Sequence, residues 1–352
     1  MPKKSPAPGH YRFNARYGRA GRPVLVTGAG GYIGSALAKA IAAAGTARLV
    51  LLDSSEQNLF EIHRHLEEAH ARIPHEAILG SVTDASLLND ILSRCRPSIV
   101  YHAAALKHVP LLELNPLAAV RNNALGTYTL AEAARRHGVP ALVLISTDKA
   151  VNPHSIMGAS KRIAELTIAA LSGPLCRMNA IRLGNVFGSS GSVVPIFLEQ
   201  IAKGGPVTIT HPEASRYFMS LKEAVEAILA AGAADCSGKI LLPDLGEAER
   251  IAELARLLIG RRRRLAPPQI IGLRPGEKIA EDLIYQTEIR EGHVDGPLEI
   301  VRTVTPAPAE MHAFMAQLGC LLANGDLAGV IGAICAMVPE YRPSSVIRDA
   351  CR

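Results

Sequence analysis

Short apolar runs alternate with longer helical stretches along the first half of the chain. PVLVT (23–27) ends in a glycine turn, the Ala-rich stretch from Tyr32 to Ala44 predicts a helix, and ARLVLLD (47–53) predicts a second strand. The pattern repeats through Glu76–Gly80, Ser98–His102 (SIVYH) and Ala141–Ser146 (ALVLIS), with helical segments between them. Strands that are apolar throughout, rather than alternating, belong in a parallel sheet covered on both faces. Right-handed crossovers then give an α/β, doubly wound sheet whose ligands bind beyond the carboxyl ends of its strands. From about Phe187 the alternation loosens, and Pro- and Gly-rich stretches predict a smaller lobe. The expected organisation is a basic arm over 1–21, the doubly wound domain over 22–186, a C-terminal lobe with some return to the sheet over 187–343, and a tail over 344–352.

Composition narrows the class without choosing a function. With 352 residues, 48% hydrophobic and 20% charged, the chain can bury a sizeable core. Six cysteines lack metal-ligand or redox spacing and read as reduced thiols, which points to the cytoplasm. Residues 1–22 are basic and lack an apolar signal-peptide core. Leu318 to Val338 is interrupted by Asn324 and Asp326, so it predicts packed helices and no integral membrane segment. The net charge of +6 is concentrated in Lys3, Lys4, Arg12, Arg16, Arg19 and Arg22, and in the run Arg261–Arg264. Neither run has the aromatic or groove-reading context of a nucleic-acid protein. They read as a solvated arm and loop, with weak attraction to an anionic membrane surface as the minor alternative.

The first chemical motif lies where a doubly wound sheet needs one. Thr27-Gly28-Ala29-Gly30-Gly31-Tyr32-Ile33-Gly34 joins the first strand to the first helix. Gly28 permits the tight turn, Gly31 admits a pyrophosphate to the backbone, and Gly34 lets helix pack on strand. The helix start at Tyr32 and Ile33 adds partial positive charge facing the phosphates. Asp53 closes the second strand, about 20 residues on, where a carboxylate accepts the ribose hydroxyls and repels a 2′-phosphate. The expected cofactor is NAD in preference to NADP, and residues 22–186 are its Rossmann domain.

The TGxxGxxG spacing resembles the extended short-chain dehydrogenase/reductase superfamily. In order along the chain, Ser81-Val82 resembles its adenine-contacting pair, and Ala103-Ala104-Ala105 its small-residue segment beside the cofactor. Asn123 is similar to its helix asparagine, and Lys161 stands where its ribose-binding lysine belongs. A narrower resemblance rests on HAAALKHVPLLELNP (102–116), STDKAVNP (146–153), MGASKR (157–162), RLGNVFGSSGSVVPIF (182–197), LRPGEKIAEDLI (273–284) and VPEYRP (338–343). These segments resemble the capsular-polysaccharide and flagellin-sugar branch, which contains UDP-N-acetylglucosamine 4,6-dehydratases.

That resemblance implies a UDP-sugar substrate, a homo-oligomer, and C4 oxidation, loss of water across C5 and C6, and hydride return to C6. It implies Asp148 as general acid, Lys149 as C5 base with a lowered pKa, and Thr147 as partner of the 4-hydroxyl. Asn185, Arg216 and Arg274 match its substrate- and diphosphate-binding positions, and arginine's donor fork suits phosphate. Val207-Thr208-Ile209 is expected near the nucleoside. Lys107 and His108 follow the fourth strand and are candidates for substrate contact, with a plain loop histidine as the equal alternative. The superfamily's catalytic tyrosine is replaced by Met157, which cannot exchange a proton. A 4-epimerase and a non-catalytic NAD-binding regulator are the competing functions. The histidines show no zinc-type spacing, so no metal is expected.

Overall fold

The computed structural model describes residues 23–189, 191–260, 267–294 and 297–352. The basic arm and the Arg261–Arg264 run lie outside these residues.

Five strands carry the predicted alternation, β1 (Val24–Thr27), β2 (Leu49–Asp53), β3 (His75–Leu79), β4 (Ile99–His102) and β5 (Ala141–Thr147), and β6 (Arg177–Leu183) continues it. They pair in parallel in the order β3-β2-β1-β4-β5-β6. Ile240–Pro243 extends the sheet in parallel beside β6, and Leu298–Arg302 and Ile289–His293 add antiparallel pairings at that edge. Every residue of β1, β2 and β4 is buried, as strands covered on both faces require. The strand order reverses between β1 and β4, opening the crevice where such sheets bind ligands.

Local chemistry sets the helix boundaries. The hydroxyl of Ser55 caps the helix Glu56–Ala69, and Asp84 caps Ala85–Cys95 by accepting from the Ser86 and Leu87 amides at 3.0 Å. Ser155 caps Ile156–Leu171, the helix carrying Met157 and Lys161. A π-helical turn over Val120–Leu125 holds Asn123 just before the helix Gly126–Arg136.

The second half divides between three places. The helix Leu221–Ala233 and the strands Ile240–Pro243 and Leu298–Arg302 join the main core, while Ile289–His293 is an exposed edge. Phe197, Ile201, Val207, Ile209, Ile251 and Ala255 form the separate core of a small lobe. Helices Pro308–Ala323 and Leu327–Met337 pack against Ile156–Leu171 in a third cluster. Residues 344–352, expected as a tail, include the helix Ser345–Ala350, whose Ile347 is fully buried in that cluster. No helix among the described residues is long and apolar enough to cross a membrane.

A buried ion network locks the Ile156–Leu171 helix in place. Arg182 of β6 donates to both Glu165 and Glu288 at 2.7–2.9 Å. Arg162 reaches Glu165, Glu288 and Glu340 at 2.9–3.1 Å. Glu165 also accepts from Ser146 at 2.7 Å, next to the end of β5. Removing one member of such a network strands a buried charge and typically costs ~3–5 kcal/mol.

Candidate active site

The glycine turn sits at the mouth of the crevice. Gly28 has φ +64, and a Cβ there would lie 2.6 Å from the Ala104 nitrogen, so only glycine lets β1 turn against the loop after β4. That places Ala103 and Ala104 directly beside the turn, with Ala105 exposed. The helix Tyr32–Ala43 begins at Gly31 with no side chain capping its first turn. Its opening amides are therefore available to an anion, in contrast to the serine- and aspartate-capped helices described above. Asp53 accepts the amides of Gly30 and Ser55, one on each carboxylate oxygen, both at 2.8 Å. Remaining lone pairs on those oxygens can still take ribose hydroxyls. The donor set and open helix start fit a dinucleotide.

Other cofactor candidates fall into two groups. Val82 is buried beneath the crevice, and Ser81 bonds Thr83 at 2.8 Å. Tyr32 donates to the Phe187 carbonyl at 2.8 Å, joining the glycine helix to the segment after β6, while Ile33 packs on the main core. Asn123 is fully buried and spends its amide inside the protein. It accepts from the Leu106 amide and donates to the Leu106 carbonyl, both at 2.9 Å, and reaches Ser160 at 3.1 Å. It shapes the loop after β4. Beside it, His102 bridges Thr27 at 2.7 Å and Thr127 at 3.0 Å. Burial, aided by Lys161, pushes the His102 pKa down to about 3, so this ring stays neutral.

Lys107 and His108 are exposed in that loop, and burial lowers the pKa of each in part, with Lys107 adding to the effect on His108. The His108 ring lies against Gly191, where a Cβ would approach its Cε1 to 2.7 Å. Lys161 is 4% exposed and donates to the Ile145 carbonyl at 2.7 Å. Burial depresses its pKa to about 8, with Glu165 pulling the other way. Met157, one helical turn earlier, is buried in the third apolar cluster.

The candidate acid–base residues meet at the end of β5. Thr147 donates to Asp148 Oδ1 at 2.9 Å, and Lys149 Nζ donates to the same oxygen at 2.9 Å. Lys149 Nζ also donates to Asn185 Oδ1 at 2.9 Å. Asp148 is 0% exposed, and its Oδ2 has no hydrogen-bond partner, an acceptor left over inside the site. This chain of contacts needs the neighbouring helix close by. Gly158 permits that, because any Cβ there would strike the Lys149 carbonyl oxygen.

The substrate candidates separate. Asn185 joins the triplet, while Arg216 is 11% exposed and donates to the carbonyls of Ser215, Lys278 and Ile279 at 2.7–3.0 Å. Arg274 is exposed; its amide donates to Glu277. Val207 and Ile209 point into the small-lobe core, leaving Thr208, bonded to Gln200, as the less buried member of that trio. Two residues absent from the sequence-based site belong to it by position. Lys278 donates to the Val151 carbonyl at 2.9 Å, and Glu281 lies between Lys149, Arg216 and Lys278. Both fall inside LRPGEKIAEDLI, so the motif was visible while their contacts were not. A cleft of about 850 Å³ opens on the outer side of this segment beside Asn152, His154 and Arg342; no glycine-turn residue lines it.

The family description "Polysaccharide biosynthesis protein" matches residues 24–300, spanning both the glycine turn and this constellation. The chain belongs to that polysaccharide biosynthesis family. Capsular polysaccharide biosynthesis protein CapD of Staphylococcus aureus is 42% identical over 279 residues, covering 78% of this chain and 47% of CapD. The chain thus spans about half the length of that relative. UDP-N-acetylglucosamine 4,6-dehydratase (inverting) of Campylobacter jejuni is 30% identical over 302 residues, covering 82% of this chain and 84% of that enzyme. UDP-glucose 4-epimerase of Rickettsia canadensis is 38% identical over 198 residues, 54% of this chain and 57% of that enzyme. Among solved structures, a double mutant of the dTDP-glucose 4,6-dehydratase DesIV from Streptomyces venezuelae, with NAD bound, matches with a TM-score of 0.65 at 22% identity, covering 74% of this chain and 88% of that one. The family member described here therefore shares the Rossmann-type fold of that structure.

Proposed function

We propose that this chain is an NAD-dependent nucleotide-sugar 4,6-dehydratase acting on UDP-N-acetylglucosamine. The observation that carries the reading is the hydrogen-bonded run Thr147–Asp148–Lys149 at the mouth of β5. NAD, when bound, supplies the oxidation at C4 and the matching reduction at C6. The glycine turn, the open start of the Tyr32–Ala43 helix, Asp53 and Lys161 would hold it.

The remaining chemistry is proton movement, and the side chains balance it without a tyrosine. The 4-hydroxyl gives its proton to Thr147 Oγ1 while Thr147 passes its own to Asp148 Oδ1, along the 2.9 Å bond already present. Asp148 is then the carboxylic acid that elimination needs. Lys149, entering as the amine, takes the C5 proton as Asp148 protonates the C6 hydroxyl, which leaves as water. Lys149, whose ammonium protons exchange with solvent, delivers one of them to C5 when C6 is reduced. Both residues end as they began, and the sugar has lost one water.

Proton NMR of UDP-N-acetylglucosamine incubated with the protein and NAD in D₂O tests this. The expected product is a 4-keto-6-deoxy sugar carrying deuterium at C5. A UDP-sugar inverted at C4 with protium retained at C5 would instead establish the 4-epimerase, the reading that the Rickettsia match favours. Unaltered sugar in the presence of bound NAD would support a regulator.

A further inference from the structure

Glu281 stands out among the buried carboxylates. Its side chain is 3% exposed, with Oε1 4.0 Å from Lys149 Nζ and 3.8 Å from Arg216 Nε, and Oε2 3.2 Å from Lys278 Nζ. Oε2 makes no well-oriented hydrogen bond. Glu165 and Glu288 differ: each is held by short contacts of 2.7–3.1 Å. A charge removed from water persists only where opposite charges compensate it, and here three cations do so at longer range. Fastening the 278–281 segment does not require the carboxylate. Arg216 already grips the Lys278 and Ile279 carbonyls, and Lys278 grips that of Val151.

We infer that Glu281 is a positioning residue for the acid–base pair, a shared counter-ion that fixes Lys149 relative to the cations on the substrate side. This rests on the dehydratase reading. The charged groups facing Lys149 are Asp148 beside it and Glu281 across from it, with Arg216 and Lys278 beyond. Lys161, on the adjacent helix, is bonded to the Ile145 carbonyl. Glu281 therefore holds Lys149 in line from the side opposite Asp148. Removing that charge without changing shape separates two effects. The plateau of kcat falls because Lys149 is less well placed. UDP binding does not weaken, because Arg216 and Lys278 lose a competing anion.

The test compares wild type, Glu281→Gln and Glu281→Asp. Dehydration of UDP-N-acetylglucosamine is followed at one pH, and UDP binding is measured by calorimetry on the NAD-loaded proteins. Glu281→Gln should lower kcat by about 10-fold and bind UDP at least as tightly as wild type. Glu281→Asp, which keeps the charge, should recover most of that kcat. An unchanged kcat in Glu281→Gln, UDP binding that weakens in step with kcat, or a kcat in Glu281→Asp no better than in Glu281→Gln overturns the inference. If Glu281→Gln does not fold, loss of most of the wild-type kcat in Glu281→Asp does the same. Failure of wild type to dehydrate the sugar would reject the dehydratase reading itself, a separate result.

Discussion

Replacing Lys161 by methionine should expose how much stability the site gives up to keep a lysine there. Lys161 is almost wholly buried, and its pKa falls from 10.5 to about 8 because burial penalises the ammonium. The difference corresponds to about 3 kcal/mol lost to the cofactor-free protein near neutral pH, at ~1.36 kcal/mol per pH unit. Between pH 8 and 10.5 the unfolded lysine still holds its proton and the folded one has released it. Stability therefore rises with pH across that window, and the penalty shrinks to about 1 kcal/mol at pH 9.5. Lys161→Met removes this dependence, although it also leaves the Ile145 carbonyl without its 2.7 Å donor. The loss of that bond is the same at both pH values and cancels. Urea unfolding of the two NAD-free proteins at pH 7 and pH 9.5 should show wild type gaining about 2 kcal/mol relative to Lys161→Met. Parallel pH dependence in the two proteins would refute the claim that burial strains this lysine.

The geometry of the glycine turn and of the triplet sets the outcome for five further variants. A Cβ at Gly31 would meet only the Gly28 carbonyl oxygen, at 3.2 Å, whereas one at Gly34 would strike that oxygen head-on. Gly31→Ala should keep its wild-type unfolding midpoint but bind NAD more weakly by calorimetry, Gly31→Val should not bind it, and Gly34→Ala should lower the midpoint itself. Thr147→Val deletes the donor to Asp148 and should reduce dehydration about 100-fold. Asp148→Asn, which can neither take up the 4-hydroxyl proton through Thr147 nor protonate the C6 hydroxyl, should neither exchange the C5 proton with solvent nor release dehydrated sugar, as read by mass spectrometry in D₂O.

The fold was legible because its signal is local. Most core strands are short apolar runs, the turn after β1 has its glycine, and the parallel sheet follows from where helices intervene; the five strands expected from the sequence fall within two residues of their expected bounds. The glycine turn and the Thr147–Asp148–Lys149 triplet could be read for the same reason: neighbours in sequence are neighbours in space. Contacts between distant segments were not legible. Nothing about Glu281 in the sequence says that it will stand 4.0 Å from Lys149, because that depends on how the 273–284 segment folds back over the end of β5. Arg216 read as a free phosphate fork, yet both of its terminal nitrogens already donate to the carbonyls of Ser215, Lys278 and Ile279, and its Nε faces Glu281. Asn123 read only as the superfamily's helix asparagine, and burial commits it to Leu106 and Ser160. A residue type states which bonds a side chain can make. Only the packed chain determines which partners come within reach and which of those bonds are already taken.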